Sequence, residues 1–498
     1  MEKRATSTLE EEFRRLSLNC LVTVEEDMTN FISDDFDNLN GYHQLFFREG
    51  ISCVWFFYPL VTVFKAESVE VILNNNEEVK KAWFYEVLKP WLGSSVLISC
   101  DKKWRDMRKL LTPIFHFHVL NKFLAIMNKH SRNLGDLFDT FVQQECVDIY
   151  SSMPRHSFDT IFECILDKEI NTLNHPTGSY LKAVEEVKFL AFERIHNPWF
   201  WNDFLFRLSS IGRKYSKCVQ VLHNFTNKVI SQKRKLKLSS EKEKQPATEE
   251  LGLIYSETNR KKISFLDLLL DEHLKHGSLS EEAIREQLDT LLFAGHDTTS
   301  VSLSFCMWMV GLHPWVQDKI HEEMDAIFDN DDRDATLEDL RKMQYLECVI
   351  KETLRLYPPV TQVGRRVRSD LHFRQYTIPK GSECLVNIYV LHRDPEVFPD
   401  PEKFDPERFT PENSAGRHPF AFVPFSAGPR NCLGQRFALM KLKIVLSSVF
   451  RRYKFRSLNS RDKVNIISDF VLRPADGLQI QIRKRHQNFN FDSVYYYP

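Results

Sequence analysis

The apolar positions of this 498-residue chain fall mostly at helical spacing. Across residues 67 to 230 hydrophobic side chains recur at every third and fourth position, as in LNKFLAIM from Leu120 and FTNKVI from Phe225. That period predicts helices broken by short loops. Ile51 to Phe64, ISCVWFFYPLVTVF, is apolar but contains Pro59. It falls short of the ~20 residues that cross a bilayer, so two short buried strands are expected there. From Lys233 to Lys262 the apolar content drops and KRKLKLSSEKEKQPATEE mixes charges with Ser and Pro, which predicts an exposed loop. Ser278-Leu279-Ser280-Glu281 has the form of a capping box. Helical period continues from there to Leu312, where His313-Pro314 stops it. Such a helix would run ~48 Å at 1.5 Å per residue. Another helix is expected from Tyr345 to Leu356, ended by Tyr357-Pro358-Pro359. Short β-type runs follow from Val363 to Val390, then a Pro-rich charged meander from Asp394 to Pro411. A last long helix begins after Gly434 and reaches about Arg452, and Val464 to Ile482 reads as a closing hairpin. No repeat and no dividing linker is visible. The pattern predicts a mainly α protein with minor β, one large domain over residues 50–485. Residues 1–49 form an atypical amino-terminal segment and 486–498 a tail.

Composition narrows the class. Hydrophobic residues are 43% and charged residues 27%, which excludes a mostly disordered chain and a multi-span membrane protein. The formal net charge is -1, so no global field draws the protein to nucleic acid. The 39 phenylalanines imply a large aromatic core. Ten cysteines include no CxxC pair and no zinc-type spacing, and so read as scattered thiols of a reducing compartment. The first 40 residues are acidic, with neither the basic start nor the apolar run of a secretory signal or anchor.

Three stretches carry candidate chemistry. FSAGPRNCLGQRF, Phe425 to Phe437, puts Cys432 in a Gly/Pro loop just before a helix. Backbone N–H groups and the helix dipole at such a place favour a thiolate, and Arg430 adds a cation. Gly428 permits a turn closed to other residues, and Gly434 allows close approach of a flat ligand. A thiolate held this way can serve as the electron-donating ligand of a haem iron. AGHDTTS, Ala294 to Ser300, is a polar island in the long apolar helix. Gly295 costs ~1 kcal/mol there relative to Ala. A buried Asp297 costs more unless it is paired. Threonine hydroxyls can bond back to the i−4 carbonyl and open a helix locally. Glu352 and Arg355 in KETLRLYPP stand at i, i+3 and share one helix face. No GxGxxG follows a strand, so the chain offers no flavin or nicotinamide site of its own.

The Cys432 loop resembles the haem-binding loop of the cytochromes P450, haem-thiolate monooxygenases. That resemblance runs from about Gly50 to about Arg483, with the motifs in family order. It implies the cytochrome P450 fold, with Cys432 as axial ligand of haem b, Phe425 shielding its sulfur and Arg430 meeting a propionate. Trp104 and Arg108 match the family's WxxxR helix, and Arg365 in VGRRV a strand-borne arginine, both facing propionates. Asp297 and Thr298 match the pair that relays protons for oxygen activation. Glu352 and Arg355, with Arg408 of PERF, match a structural triad.

KWRDMRKLLTPIFHF, FLDLLL, GHDTTS and FVPFSAGPRNCLGQRFAL are most similar to the fourth family of cytochromes P450. Its members commonly oxidise fatty acids, which implies a fatty acid or related lipid as substrate here. Many of them carry Glu where this chain has Ala294, and that Glu can form an ester to a haem methyl; with Ala the haem should be non-covalent. The resemblance further implies O2 as co-substrate, NADPH-cytochrome P450 reductase as electron donor, a monomer, and the cytosolic face of the endoplasmic reticulum membrane, although no anchor is visible. Lys102, Lys103, Arg105, Lys109, Arg436, Lys441 and Lys443 are the candidate docking face for the reductase. A reductase-independent isomerase or dehydratase, or a haem or ligand carrier, are the rival functions. Asp297-Thr298 argues against both.

Overall fold

A computed structural model describes residues 51–55, 59–75, 80–115, 117–175, 179–242, 264–329, 331–374 and 376–485. The acidic amino-terminal segment, the last 13 residues and most of the charged loop lie outside the described residues. The longer helices are α1 (Asp101–Leu111), α2 (Phe117–Phe141), α3 (Met153–Leu166), α4 (Ser179–His196), α5 (Ser210–Lys242), α6 (Phe265–His276), α7 (Glu281–Leu312), α8 (Pro314–Phe328), α9 (Gln344–Leu356) and α10 (Gln435–Arg452). The strands that organise the minor β part are β1 (Ile51–Trp55), β2 (Pro59–Val63), β3 (Gln362–Arg366) and β4 (Glu383–Asn387). They form one sheet in the order β1-β2-β4-β3. The β2–β4 pair is parallel and the two outer pairs are antiparallel.

Helix α7 is the axis of the molecule. Its N-cap is Ser280, whose side chain accepts from the Ala283 N–H. The box expected two residues earlier, at Ser278, does not form, and Ser278 bonds back to Glu272 of α6 at 3.0 Å. From Ile284 to Gly311 almost every residue is buried, with α3, α5, α9 and α10 packed around it. This is why its sequence is apolar on all faces rather than along one stripe.

Three local expectations are revised. Helix α5 runs on through Lys242, well inside the stretch expected to be a loop from Lys233. Lys233 and Lys237 pair with Asp267 and Asp271 of α6 at 3.2 and 2.8 Å, and these contacts hold the polar end of α5 in place. A one-turn helix, Ile388–Leu391, ends the β region early, with Asn387 capping it. In the carboxy-terminal region only Ile466–Ser468 and Leu472–Pro474 form a hairpin. The following strand, Gln479–Lys484, leaves it to pair with Tyr453–Ser457.

Candidate functional site

The Cys432 loop is shaped by its own residues. Gly428 has φ +68°, and a Cβ placed on it would lie 1.8 Å from the Leu73 carbonyl oxygen. Only glycine fits there. The Cys432 N–H donates to the Phe425 carbonyl at 2.8 Å, which closes the loop. Phe425 is half-buried against the main core. Gly434 is the N-cap of α10. A Cβ on it would meet only a Phe115 ring carbon at 3.9 Å, so space remains beside the helix start. Cys432 itself keeps an accessible surface although protein surrounds the loop. Burial pushes the thiol up, while the Gly434 N–H and the Arg108 guanidinium pull it back. The helix start therefore acts in the expected direction, but desolvation outweighs it.

Cations crowd the same place. Arg108 of α1 donates to the Asn431 backbone oxygen at 2.8 Å and to its Oδ1 at 2.6 Å, tying α1 to the residue before Cys432. The Arg430 guanidinium lies 4.4 Å over the Trp104 ring and donates to the Val96 and Ser99 carbonyls. Arg365 of β3 is 2% exposed and donates to the Gly364 carbonyl at 3.0 Å. Lys81 bridges to Arg365 through the backbone, and its ammonium sits 4.4 Å over the Tyr85 ring. Burial lowers all four groups, Arg430 to about 9, and among the described residues no carboxylate lies at ion-pair distance from Lys81, Arg108 or Arg365. Partly desolvating four cations in one place is costly. The cluster fits a ligand that brings two carboxylates, as haem b does, beside the solvent-accessible Cys432.

Across α7, Ala294 is exposed and Thr298 partly so, in the middle of an otherwise buried helix. These two positions stay solvent-accessible although the helix around them is buried. Thr298 Oγ1 donates to the Ala294 carbonyl at 2.9 Å, and Thr299 Oγ1 to that of Gly295 at 2.8 Å. A Cβ on Gly295 would fall 2.7 Å from Ile161 Cγ1, so the glycine lets α3 press against α7. Asp297 is buried and is held by Lys188 of α4, whose Nζ donates to both carboxylate oxygens at 3.0 and 2.9 Å. The same amine reaches the half-exposed Glu185 at 3.0 Å. Burial pushes the Asp297 carboxyl up, and Lys188 pulls it back only in part. Burial opposes the charge on Lys188, but Asp297 and Glu185 outweigh it and keep the amine cationic.

Glu352 and Arg355 form a bidentate pair, both bonds 2.8 Å. Arg408 Nε stands 3.6 Å from Glu352, and the Asp405 N–H donates to that carboxylate at 2.8 Å. Arg355 also donates to the Pro401 and Lys403 carbonyls, which fastens the meander to α9. This cluster touches neither Asp297 nor the cations.

The candidate docking face is smaller than expected. Lys102, Lys103, Arg105, Lys109 and Arg436 are exposed, but Lys441 and Lys443 are buried. They share the inward side of α10 with Phe437, Ala438, Met440 and Ile444. Lys443 pairs with Glu347 at 2.7 Å. Sequence reasoning missed Lys81 and Lys188. Lys188 could have been found, because it interrupts the apolar stripe of α4 between Val184, Val187 and Ala191. Lys81 carries no such signal, since Arg365, to which it bridges, lies on a distant strand.

Among the described residues no group of three or more His, Cys, Asp or Glu could hold a metal ion, and no helix is long and apolar enough to cross a membrane. A family profile described as Cytochrome P450 matches residues 30–482. Cytochrome P450 4V2 of Rattus norvegicus is 41% identical over 432 residues, 86% of this chain and 81% of that protein. Cytochrome P450 4V2 of Homo sapiens is 41% identical over 429 residues, with the same shares. Cytochrome P450 4c3 of Drosophila melanogaster is 38% identical over 442 residues, 88% of this chain and 82% of that one. The crystal structure of the cytochrome P450DA heme domain superposes with a TM-score of 0.76 at 21% identity, covering 90% of this chain and 93% of that one, and bears on the fold alone. Matches of this extent make the chain a member of the cytochrome P450 family, a haem-thiolate monooxygenase.

Proposed function

We propose that this monooxygenase acts on a fatty acid or related lipid, with Cys432 as the axial thiolate of a non-covalently held haem b. The observation that carries the site is the solvent-accessible Cys432 beside Lys81, Arg108 and Arg365, for which the described residues supply no carboxylate at ion-pair distance. When bound, the haem supplies the one-electron and dioxygen chemistry. The chain supplies the rest. Arg108, Arg365 and Arg430, with Lys81 added to the expected set, hold the propionates by charge and N–H donation. Trp104 supports Arg430 from below. Phe425 covers the sulfur and Gly434 leaves room at the helix start. Ala294 offers no carboxylate for an ester. Glu352, Arg355 and Arg408 keep the meander on α9.

Thr298 is partly accessible and its hydroxyl serves oxygen activation, and Asp297, next to it, holds or releases a proton under the opposing pulls of burial and Lys188. Glu185, reached by the same amine and half-exposed, is the route by which that proton meets solvent. Electrons come from NADPH-cytochrome P450 reductase, docked on the exposed cations from Lys102 to Lys109 and Arg436. The protein acts as a monomer and binds no nucleic acid. It works on the cytosolic face of the endoplasmic reticulum membrane. A face carrying Trp199, Phe204, Leu205 and Leu208, which are 79%, 69%, 48% and 59% exposed, supports membrane contact.

The test is spectroscopic first. The reduced, carbon-monoxide-bound protein should show the thiolate-ligated band, and Cys432→Ala should lose it. A panel of fatty acids with reductase and NADPH should then give hydroxylated products by mass spectrometry. NADPH oxidation without any oxygenated lipid would refute the substrate class.

A further inference from the structure

One buried amine near the central helix has no part in the chemistry above. Lys441 of α10 is fully buried, and its Nζ donates to Thr299 Oγ1 of α7 at 2.9 Å and to the Ser157 carbonyl of α3 at 3.3 Å. Three helices therefore meet on one nitrogen, with no carboxylate at ion-pair distance among the described residues. Thr299 accepts from Lys441 and directs its own proton to the Gly295 carbonyl at 2.8 Å. Thr298 bonds the preceding carbonyl, Ala294, in the same manner. Two successive threonines thus satisfy two successive carbonyls, the local loosening that such back-bonding produces in a helix. Lys441 fixes the direction of one of the two hydroxyls.

We propose that Lys441 is a positioning residue for monooxygenation, clamping Thr299 so that the accessible Ala294–Thr298 face of α7 keeps a single geometry. The proposal rests on the reading that Thr298 serves oxygen activation.

The clamp also responds to pH. From α3, His156, Asp159 and Cys164 face the amine; from α7, His296 and Thr299 do; His130 of α2 acts through His156. Asp159 is already engaged by the Thr172 hydroxyl and by the Thr172 and Leu173 N–H groups. Both ring nitrogens of His156 are buried without a partner, and burial, with Lys441 beside it, keeps that ring neutral. Burial brings Lys441 down to about 7, opposed only weakly by Cys164 and Asp159. The amine is uncharged above that pH. Below it, a charge appears in a chamber with no free carboxylate, and the three-helix contact loosens.

The experiment compares Lys441→Met, Thr299→Val, the double variant, Thr299→Ser and Thr298→Ala as haem-loaded full chains. Product formed per NADPH oxidised is read from about pH 6 to 9, with KM and kcat separated. Lys441→Met and Thr299→Val should each lower that ratio about tenfold at unchanged KM, as expected of a small misplacement. The double variant should be no worse than either, and Thr299→Ser should restore the ratio. The wild-type ratio should fall below about pH 7, and that fall should vanish in Lys441→Met.

A second readout does not involve turnover. Between about 7 and the unfolded value of ~10.4 the unfolded chain holds the proton that the fold has released. The Tm advantage of wild type over Lys441→Met should therefore widen as pH rises through that window. Additive losses in the double variant, or a normal ratio in Lys441→Met beside a defective Thr298→Ala, overturn the clamp alone. A normal ratio in Thr298→Ala overturns the reading of Thr298 and the clamp with it. Should Lys441→Met fail to fold, Thr299→Val against Thr299→Ser decides.

Discussion

Glu352 and Arg355 show how far a residue pattern can be read. Their spacing places them on one helix face, which by itself describes any surface ion pair. The structure gives both side chains 0% exposure and surrounds them with meander carbonyls. Burial raises the Glu352 carboxyl and lowers the Arg355 guanidinium, and each favours the charge on the other. Arg355→Leu should therefore cost about 3–5 kcal/mol in denaturant unfolding, because it strands a buried carboxylate. The double variant Glu352→Leu/Arg355→Leu should recover part of that loss. If the double is as damaged as the sum of the singles, the pair is not what matters there. Lys188 and Lys441 are the opposite case. A lysine is normally a solvated residue, and only the neighbours that the fold brings, Asp297 for one and Thr299 for the other, give them a role.

Among the elements, the Cys432 loop depends most on a single conformation. Gly428 combines a left-handed φ with a backbone oxygen where a Cβ would go. Gly428→Ala should carry the ~1–2 kcal/mol penalty of that conformation and must also displace the loop or the end of the Ala66–Leu73 helix. The expected outcome is a folded protein that retains haem poorly and shows a diminished thiolate-ligated carbon-monoxide band. An undiminished band in Gly428→Ala would mean that the loop tolerates rearrangement. The glycine could be recognised from sequence as a turn residue, but its contact with Leu73, some 350 residues earlier in the chain, could not. Helix α5 makes the same point. Its polar end looks like a loop until α6 supplies the carboxylates that pair with it.

Over the whole molecule, burial of neutral histidines sets an acid limit. Burial holds His296 and His321 down to about 4 and His392 down to about 3. His392 Nε2 accepts the Val423 N–H at 2.9 Å, so its neutral form is part of the fold. These pKa values are lower folded than unfolded. Below about pH 6.5 the unfolded chain takes protons that the fold refuses, and stability declines from there toward about pH 4. At pH 5 the loss is about 2 kcal/mol for each of His296 and His321. Equilibrium unfolding at the two ends of that window should show it, and His321→Gln should flatten the slope; an unchanged slope would place the limit elsewhere.

The exposed apolar face is a second property of the assembled molecule. Trp199→Ser/Phe204→Ser should weaken sedimentation with phosphatidylcholine vesicles about tenfold or more, since each buried large side chain contributes ~1.5–3 kcal/mol. Equal sedimentation of both proteins would remove that face from the membrane contact.

By itself the sequence determined the class of fold, the long central helix with its carboxy-terminal end, and the cysteine loop, because these rest on local period, turn residues and backbone freedom. It also carried the residue types of the candidate site at family spacing. The tertiary structure alone decided which lysines face water and which face a carboxylate or a hydroxyl. It alone assembled Lys81, Arg108, Arg365 and Arg430 from distant segments around one place. It also decided that desolvation outweighs the helix dipole at Cys432. The physical reason is common to all three. Electrostatic energies in a protein depend on what is excluded and what is adjacent in space, and neither quantity is periodic along the chain.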